Sequence, residues 1–295
     1  MLVKKLLVIF LLSILPVAFS CKKENVAGKD EFVIVTSFYP IYIIAKNVAY
    51  NIDGVRLANM TSSQAGCLHD YSVTAEDMKN LKQAHVFLIN GAGMETFIDK
   101  ITGGYPPIKT VELSKGIKLI DHGDGKNPHV WMSVSNVIVM VRNCVEALCE
   151  TDAKNSESYK ENGDAYIREL NDLKAETDEA LKKISGEKII TFHEAFTYFA
   201  KDYDLTISAV VEHNPGMEPS AKELADLIDS VRRLKIKYIF AEPQYSSSAA
   251  EIIAKETGAT ALILDPIVTG PDDRDAYIKS MKKNTSVLIG AFSGK

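Results

Sequence analysis

Two series of short β-rich runs alternate with helical stretches in this chain, and one long charged stretch of helical periodicity separates them. The first series has strands expected at Phe32 to Thr36, Val55 to Ala58, Val86 to Ile89 and Thr110 to Leu113. The second has them at Lys188 to Thr191, Thr206 to Val211, Tyr238 to Ala241 and Ala261 to Leu264. Strands that alternate with helices build parallel sheets flanked by helices. The expected fold class is therefore α/β, with two lobes. Each series also contains a capping box that opens a helix leading into a strand: Thr74-Ala75-Glu76-Asp77 ahead of Val86, and Ser220-Ala221-Lys222-Glu223 ahead of Tyr238. In such a box the Ser or Thr oxygen accepts an orphan backbone N–H while the acidic side chain reaches back to the cap. Its occurrence in both series suggests that one lobe repeats the plan of the other.

Between the series, Tyr159, Tyr166, Ile167, Leu170, Leu173, Ala180, Leu181 and Ile184 recur at helical spacing within Asn155 to Ile184. A helix of that extent is about 45 Å long at 1.5 Å per residue. A flexible linker would instead be short and rich in Gly, Ser or Pro. One stiff helix joining the lobes, with small lobe movements, is the expectation.

The N-terminus belongs to neither lobe. Lys4 and Lys5 precede an apolar stretch from Leu6 to Phe19 that ends at Ser20, which is the layout of an export signal and is short for a membrane span. Val17-Ala18-Phe19-Ser20-Cys21 resembles a bacterial lipobox, with Ala18 where leucine is commoner. That resemblance implies lipid on Cys21 and anchoring at the outer face of the cytoplasmic membrane. The resulting division is residues 1–20 signal peptide, 21–31 lipidated N-terminus and tether, 32–152 N-terminal lobe, 153–185 linking helix and 186–295 C-terminal lobe. At 295 residues with 46% hydrophobic side chains, the chain has material for two such lobes.

Charge and cysteine content narrow the chemistry. Loss of residues 1–20 removes two lysines and no acid, so the formal charge goes from −5 to −7 and nucleic acid is excluded as a partner. Besides the lipobox Cys21, there are Cys67, Cys144 and Cys149, an odd number. Cys144 and Cys149 fall near one face of a helix, and a buried pair of thiols is expected there in preference to a disulfide.

Ligands of open α/β sheets bind outside the carboxyl ends of the strands, where loops converge and helix N-termini point inward. His193 follows the strand Lys188 to Thr191, and Asp265 follows Ala261 to Leu264. His69 lies between the strand ending near Ala58 and the helix capped at Thr74. His129, in Asn127-Pro128-His129-Val130-Trp131, precedes a helix beginning near Ser133, and the proline stiffens the backbone before it. These four form a candidate metal site assembled between lobes. His85 begins a strand, at the opposite edge, and is expected to be structural. His122 is placed in a solvated loop, Asp121-His122-Gly123-Asp124-Gly125. His213 ends a strand on the cleft side and competes, although the Asn214-Pro215-Gly216 turn leaves its direction open. No tight metal spacing links the four, so topology alone leaves the site a candidate.

Seven motifs then occur in an order typical of one family: Ser37-Phe38-Tyr39-Pro40, His69-Asp70-Tyr71, Asn90-Gly91-Ala92-Gly93-Met94-Glu95, Pro128-His129-Val130-Trp131, Thr191-Phe192-His193-Glu194-Ala195-Phe196, Glu218-Pro219-Ser220-Ala221 and Leu264-Asp265-Pro266. In these the chain resembles the zinc/manganese-class solute-binding lipoproteins of ABC importers, over nearly all of residues 32–290. The resemblance implies a metal ion in the interlobe cleft, held by His69 and His129 from the first lobe and His193 and Asp265 from the second. It places Glu242 near the site as a supporting carboxylate and Glu95 as a weaker supporting candidate, whose alternative role is to cap a helix after Gly93. Gln64-Ala65-Gly66-Cys67-Leu68 stands where the family commonly has a proline-containing loop, and Cys67 is either packed or in contact with a soft metal. The long histidine-rich loop of some zinc members is replaced by residues 121–126.

Three imidazoles and one carboxylate suit tetrahedral Zn²⁺, whereas Mn²⁺ prefers more oxygen ligands. Manganese-favouring members usually carry a carboxylate at the position of His193, so Zn²⁺ is the expected cargo and Mn²⁺ the alternative. The implied partners are an ABC transporter permease and its ATPase, with the chain acting as a monomer. The rival reading is a lipid-anchored zinc-dependent hydrolase. That would need an open coordination position beside a general base, for which only Glu194 and Glu242 are at hand, and neither a nucleophile elbow nor His-Glu-x-x-His occurs. A binder of organic solutes would want aromatic and Arg groups where this chain has histidines.

Overall fold

The computed structural model describes residues 31–61, 68, 71–97, 108–123, 125–211, 219–244 and 247–293. Eight of its strands fall in two four-stranded sheets, all of whose ladders are parallel. The first sheet contains β1 (Phe32–Thr36), β2 (Val55–Asn59), β3 (Val86–Ile89) and β4 (Lys109–Glu112) in the order β2-β1-β3-β4. A small antiparallel hairpin, β5 (Asp121–His122) with β6 (Gly125–Lys126), follows it. The second sheet contains β7 (Lys188–Thr191), β8 (Thr206–Val210), β9 (Tyr238–Ala241) and β10 (Thr260–Ile263) in the order β10-β9-β7-β8. Numbered from its own first strand, the second sheet reads 2-1-3-4 from one edge, as the first does. The repeat suggested by the two capping boxes is thus a repeat of topology.

The central strands of the two sheets form where β-branched and aromatic residues cluster, and they are buried on both faces, as parallel sheets require. Val33, Ile34 and Val35 of β1 and Val86, Leu88 and Ile89 of β3 are all buried. The helices are α1 (Tyr39–Val48), α2 (Ala75–Lys82), α3 (Val134–Thr151), α4 (Ser156–Leu181), α5 (Thr197–Asp202), α6 (Ala221–Leu234), α7 (Ser248–Thr257) and α8 (Ala276–Phe292). Both capping boxes form: Thr74 Oγ1 accepts from Asp77 N while Thr74 N donates to Asp77 Oδ2, and Ser220 with Glu223 repeats the exchange. Ser133 caps α3 by accepting from Asn136 N.

The expected long helix is α4, continued by a 3₁₀ turn at Lys182–Ile184. It packs along α3 and also against α1 and α8. The α3–α4 approach is close enough that a Cβ added at Gly163 would lie 2.4 Å from Val145 Cγ2, which explains a glycine in the middle of a 26-residue helix. Cys144 and Cys149 on α3 are free thiols, Cys144 buried and Cys149 partly so. Burial pushes the Cys144 thiol well above its usual range.

Packing does not stop at the boundary between sheets. The larger apolar cluster runs from Ile34 and Val35 through Trp131, Tyr166 and Tyr277 to Ile189, Phe240 and Leu264. Ile190, Ile239 and Ala241, on the opposite face of the second sheet, form a separate cluster with Leu227 and Val231 of α6 and Ile253 of α7. Alternation along β7 and β9 sends neighbouring residues to different cores. The segment after β10 is fastened to the first sheet's helix α1: Tyr39 donates to Pro271 O at 2.8 Å, Asn47 Nδ2 to Arg274 O at 2.9 Å, and Tyr42 and Lys46 both meet Asp272 Oδ1 at 2.6 Å.

Candidate metal centre

The carboxyl ends of β1, β3, β7 and β9 converge on one region, and His129 and His193 meet there. His193 leaves β7 in extended backbone and is 2% exposed; His129 is 1% exposed. Their Nε2 atoms lie 3.2 Å apart. What each ring presents at Nε2 follows from what holds its Nδ1. Asn127 Oδ1 accepts from the backbone N–H of His129 at 2.9 Å, so this oxygen is an acceptor, and His129 Nδ1 at 3.0 Å from it carries the hydrogen. His193 Nδ1 lies 2.5 Å from Glu242 Oε1 and likewise donates, since a carboxylate accepts. In the neutral rings both hydrogens are therefore on Nδ1, and the two Nε2 lone pairs face each other.

Two facing lone pairs at this distance call for a shared electrophile. Tetrahedral Zn²⁺ with Zn–N bonds of about 2.0–2.1 Å sets its ligand nitrogens about 3.3 Å apart, which the observed spacing matches. A carboxylate or amide oxygen on Nδ1 of a histidine is also the usual outer support of a metal site, fixing the tautomer and raising ligand basicity. Glu242 is itself secured, accepting from Gln244 Nε2 at 2.6 Å and from His193 N at 3.3 Å, and is 1% exposed.

The loop bearing His129 is tied on every side. Asn90, just past β3, donates from Nδ2 to Pro128 O at 2.9 Å; Asn136 Nδ2 donates to Val130 O; Trp131 Nε1 donates to Pro266 O at 2.8 Å; and Tyr277 donates to Trp131 O at 2.9 Å. Trp131 packs edge-on against Phe38 and lies 5.2 Å, ring to ring, from His129. Thus His129, from the connection after the first sheet, is positioned in part by the chain after β10.

Asp265 sits just past β10 and is half-buried. Its Oδ1 accepts from Ile267 N at 2.8 Å and its Oδ2 from Ser280 at 3.2 Å, while Asn284 of α8 brackets its backbone. Burial raises its pKa above the ordinary carboxylate range, against the opposing pull of the Ile267 N–H and the Ser280 hydroxyl. His69, Cys67 and His213 lie outside the described residues, as do Cys21 and the whole of residues 1–30. Among the described residues no three His, Cys, Asp or Glu side chains gather about one point.

Three other residues singled out from the sequence have defined partners. The Glu95 carboxylate accepts from Asn90 N at 2.7 Å, Gly91 N at 3.0 Å and Ser37 Oγ at 2.8 Å, closing the turn that leaves β3, where Gly91, Ala92 and Gly93 all take positive φ. Its link to the loop bearing His129 runs through Asn90, which donates to Pro128 O. His122 is not merely a solvated loop residue, since the β5–β6 hairpin brings its Nε2 to 2.6 Å from Glu194 Oε2. Glu194 is accordingly turned to the hairpin. His85 is structural as expected, its Nδ1 accepting from Val33 N at 2.9 Å. Asn127 and Gln244 were not singled out from the sequence. For Asn127 a signal existed, because Asn side chains commonly accept from the N–H two residues on, and His129 is at that position; for Gln244 there was none.

The buried Glu95 carboxyl is pushed up to about 7 from 4.5, because desolvation outweighs its three hydrogen bonds. An acid whose pKa is raised on folding binds more protons in the native state, so it makes stability fall as pH rises between the two values. In metal-free protein, the unfolding free energy of wild type relative to Glu95→Gln should decline by up to about 1.4 kcal/mol per pH unit from about pH 4.5 to about 7, and level off beyond. Denaturant melts across that range check it.

Comparison with known proteins gives one consistent result. The family described as zinc-uptake complex component A, periplasmic, matches residues 34–291. The zinc-binding lipoprotein AdcA of Streptococcus pneumoniae is 30% identical over 290 residues, covering 91% of this chain and 57% of AdcA. The high-affinity zinc uptake system protein ZnuA of Bacillus subtilis is 31% identical over 280 residues, covering 88% of this chain and 87% of ZnuA. In structure, FpvC from Pseudomonas aeruginosa in complex with Mn²⁺ superposes with a TM-score of 0.81 at 27% identity, over 90% of this chain and 99% of FpvC. The chain spans 57–60% of the length of several of the curated relatives it matches.

Proposed function

This chain belongs to the periplasmic zinc-uptake complex component A family, and on that premise we propose that it captures a divalent transition metal, Zn²⁺ first, outside the cytoplasmic membrane and delivers it to the permease and ATPase of an ABC importer. The observation that carries the metal reading is the pair of Nε2 lone pairs facing each other at 3.2 Å, each fixed by an oxygen on the far side of its ring. His129 and His193 are the proposed core of the site, with His69 and Asp265 completing four ligands. Cys67 and His213 rank behind them as ligands. Mn²⁺ remains the alternative cargo, and FpvC has been seen with that ion.

The proposed division of labour assigns residues 32–152 to one lobe, 186–295 to the other, and 153–185 to the helix between them. Two ligands from each side let the metal complete a bridge, so that a loaded chain differs from an empty one in a way that a permease can read. Release then needs only a small displacement of one pair of ligands. Lipid on Cys21 would hold a monomer at the outer membrane face. Among the described residues no helix is long and apolar enough to cross a membrane.

Catalysis has no support. Glu242, the nearest base, is engaged with His193 and Gln244, and Glu194 meets His122. The family is one of transport components, so the hydrolase reading is set aside.

The test is a competition titration of the mature protein against a chromophoric zinc chelator, repeated with Mn²⁺. One Zn²⁺ per chain is expected, bound more tightly than Mn²⁺. Because imidazole must be neutral to ligate, the affinity should fall as pH is lowered through the histidine range. Absence of tight divalent-metal binding would overturn the reading.

A further inference from the structure

Asn127 makes two kinds of bond with one amide. Its Oδ1 accepts from His129 N and His129 Nδ1, at 2.9 and 3.0 Å. Its Nδ2 donates to Glu194 O at 3.0 Å and Thr197 Oγ1 at 3.1 Å, in the segment that follows β7 and His193. The amide cannot be turned round, because a backbone N–H only donates and a backbone carbonyl only accepts. Asn127 is fully buried, and its own carbonyl accepts from Tyr198 at 2.8 Å.

The remaining bonds of the same region run in parallel. Ile120 N donates to Tyr198 Oη at 3.0 Å, and His122 meets Glu194 at 2.6 Å. Residues 120–123 and 125–127 thus lie as a strap on residues 194–198, immediately beside His193. Within the strap it is the Asn127 amide that also touches a proposed ligand ring.

We propose that Asn127 is a positioning residue that couples the orientation of His129 to the seating of the strap on residues 194–197, so that lifting the strap unlocks His129 and speeds zinc release. This rests on the zinc-binding reading above. With Nδ2 bonded to Glu194 and Thr197, the amide plane is fixed and Oδ1 holds His129 in the Nδ1–H tautomer with Nε2 toward His193. When the strap lifts, Nδ2 loses both acceptors, the amide is free to rotate, and the His129 ring loses its reference. Ligand orientation is thereby tied to the same contacts that seat the strap.

The discriminating variant is Asn127→Asp, which keeps an oxygen for His129 but has no N–H for Glu194 O and Thr197. A residue that only orients His129 would tolerate it; a coupling residue would not. Supports of metal-bound histidines typically contribute 10- to 100-fold in affinity. Asn127→Ala and Asn127→Asp should each weaken zinc binding by roughly that factor, with most of the loss in a faster dissociation rate. Thr197→Val, which removes one strap acceptor at nearly constant volume, should speed zinc dissociation about threefold or more, on the scale of one lost hydrogen bond. Stopped-flow transfer of zinc to a chelator measures the rates. The visible spectrum of the Co²⁺ form reports whether coordination stays tetrahedral, and apo melting curves verify folding. If Asn127→Asp and Thr197→Val release zinc at the wild-type rate, the coupling is overturned while the zinc reading stands. If Asn127→Ala does not fold, these two variants decide alone. If wild type binds no zinc, both readings fall together.

Discussion

Replacing either His129 or His193 by alanine is expected to cost zinc affinity roughly 100- to 1000-fold, a quarter of the 10–16 kcal/mol typical of a four-ligand zinc site. The two variants should nevertheless differ in metal-free stability. His193→Ala takes the imidazole from Glu242, whose side chain is fully buried and would keep only Gln244 Nε2 and a backbone N–H as donors. Leaving a buried carboxyl group without one of its donors costs about 3 kcal/mol, the upper end of the range for an unsatisfied buried polar group. His129→Ala leaves behind a neutral amide oxygen that still accepts from residue 129's own N–H, so about 1–3 kcal/mol is expected. Zinc competition titrations combined with denaturant melts of the apo proteins read both quantities. Equal apo stabilities for the two variants would argue against a stronger bond from His193 to Glu242 than from His129 to Asn127.

Trp131→Ala should be the most destabilising single change at the site. The side chain is fully buried, packs against Phe38, lies against His129, and donates to Pro266 O across 135 residues of chain. Truncating a buried Trp costs about 3–5 kcal/mol from lost burial and the cavity left behind. Trp131→Phe keeps most of the packing and strands the Pro266 carbonyl, so about 1–3 kcal/mol is expected. Both variants should also weaken zinc binding, because the ring beside His129 is moved or lost. Far-UV circular dichroism must follow the melts, since Trp131 is the only tryptophan in the chain. In wild type the same residue serves as a fluorescence reporter of metal binding, its ring centroid being 5.2 Å from that of His129.

How much of this was legible beforehand follows from the range of each interaction. The strands Phe32–Thr36, Val86–Ile89, Lys188–Thr191 and Tyr238–Ala241 and both capping boxes came directly from residue pattern, and the other four strands of the two sheets lie within one residue of expectation at each end, whereas the β5–β6 hairpin was not foreseen. Those are properties of a few consecutive residues. The position of His193 at a strand end was likewise readable, because the side of the sheet on which a loop lies is set by strand direction alone, and that of His129 followed from the helix that begins near Ser133. The bonds of Glu95 were less legible, because three successive positive φ angles at Gly91, Ala92 and Gly93 fold the chain back so that the carboxylate closes the turn.

What the chain's order of residues determined by itself was the α/β alternation, its duplication, the stiff helix between the two series and the candidate ligands. Tertiary structure alone decided that the segment after β10 is fastened to α1, that Trp131 reaches Pro266, and that one asparagine holds a ligand ring and the facing segment at once. The reason is physical. Periodicity and capping are repeated among near neighbours and leave a pattern, whereas a single side chain bonded to a distant backbone carbonyl repeats nowhere, and every residue offers the same carbonyl.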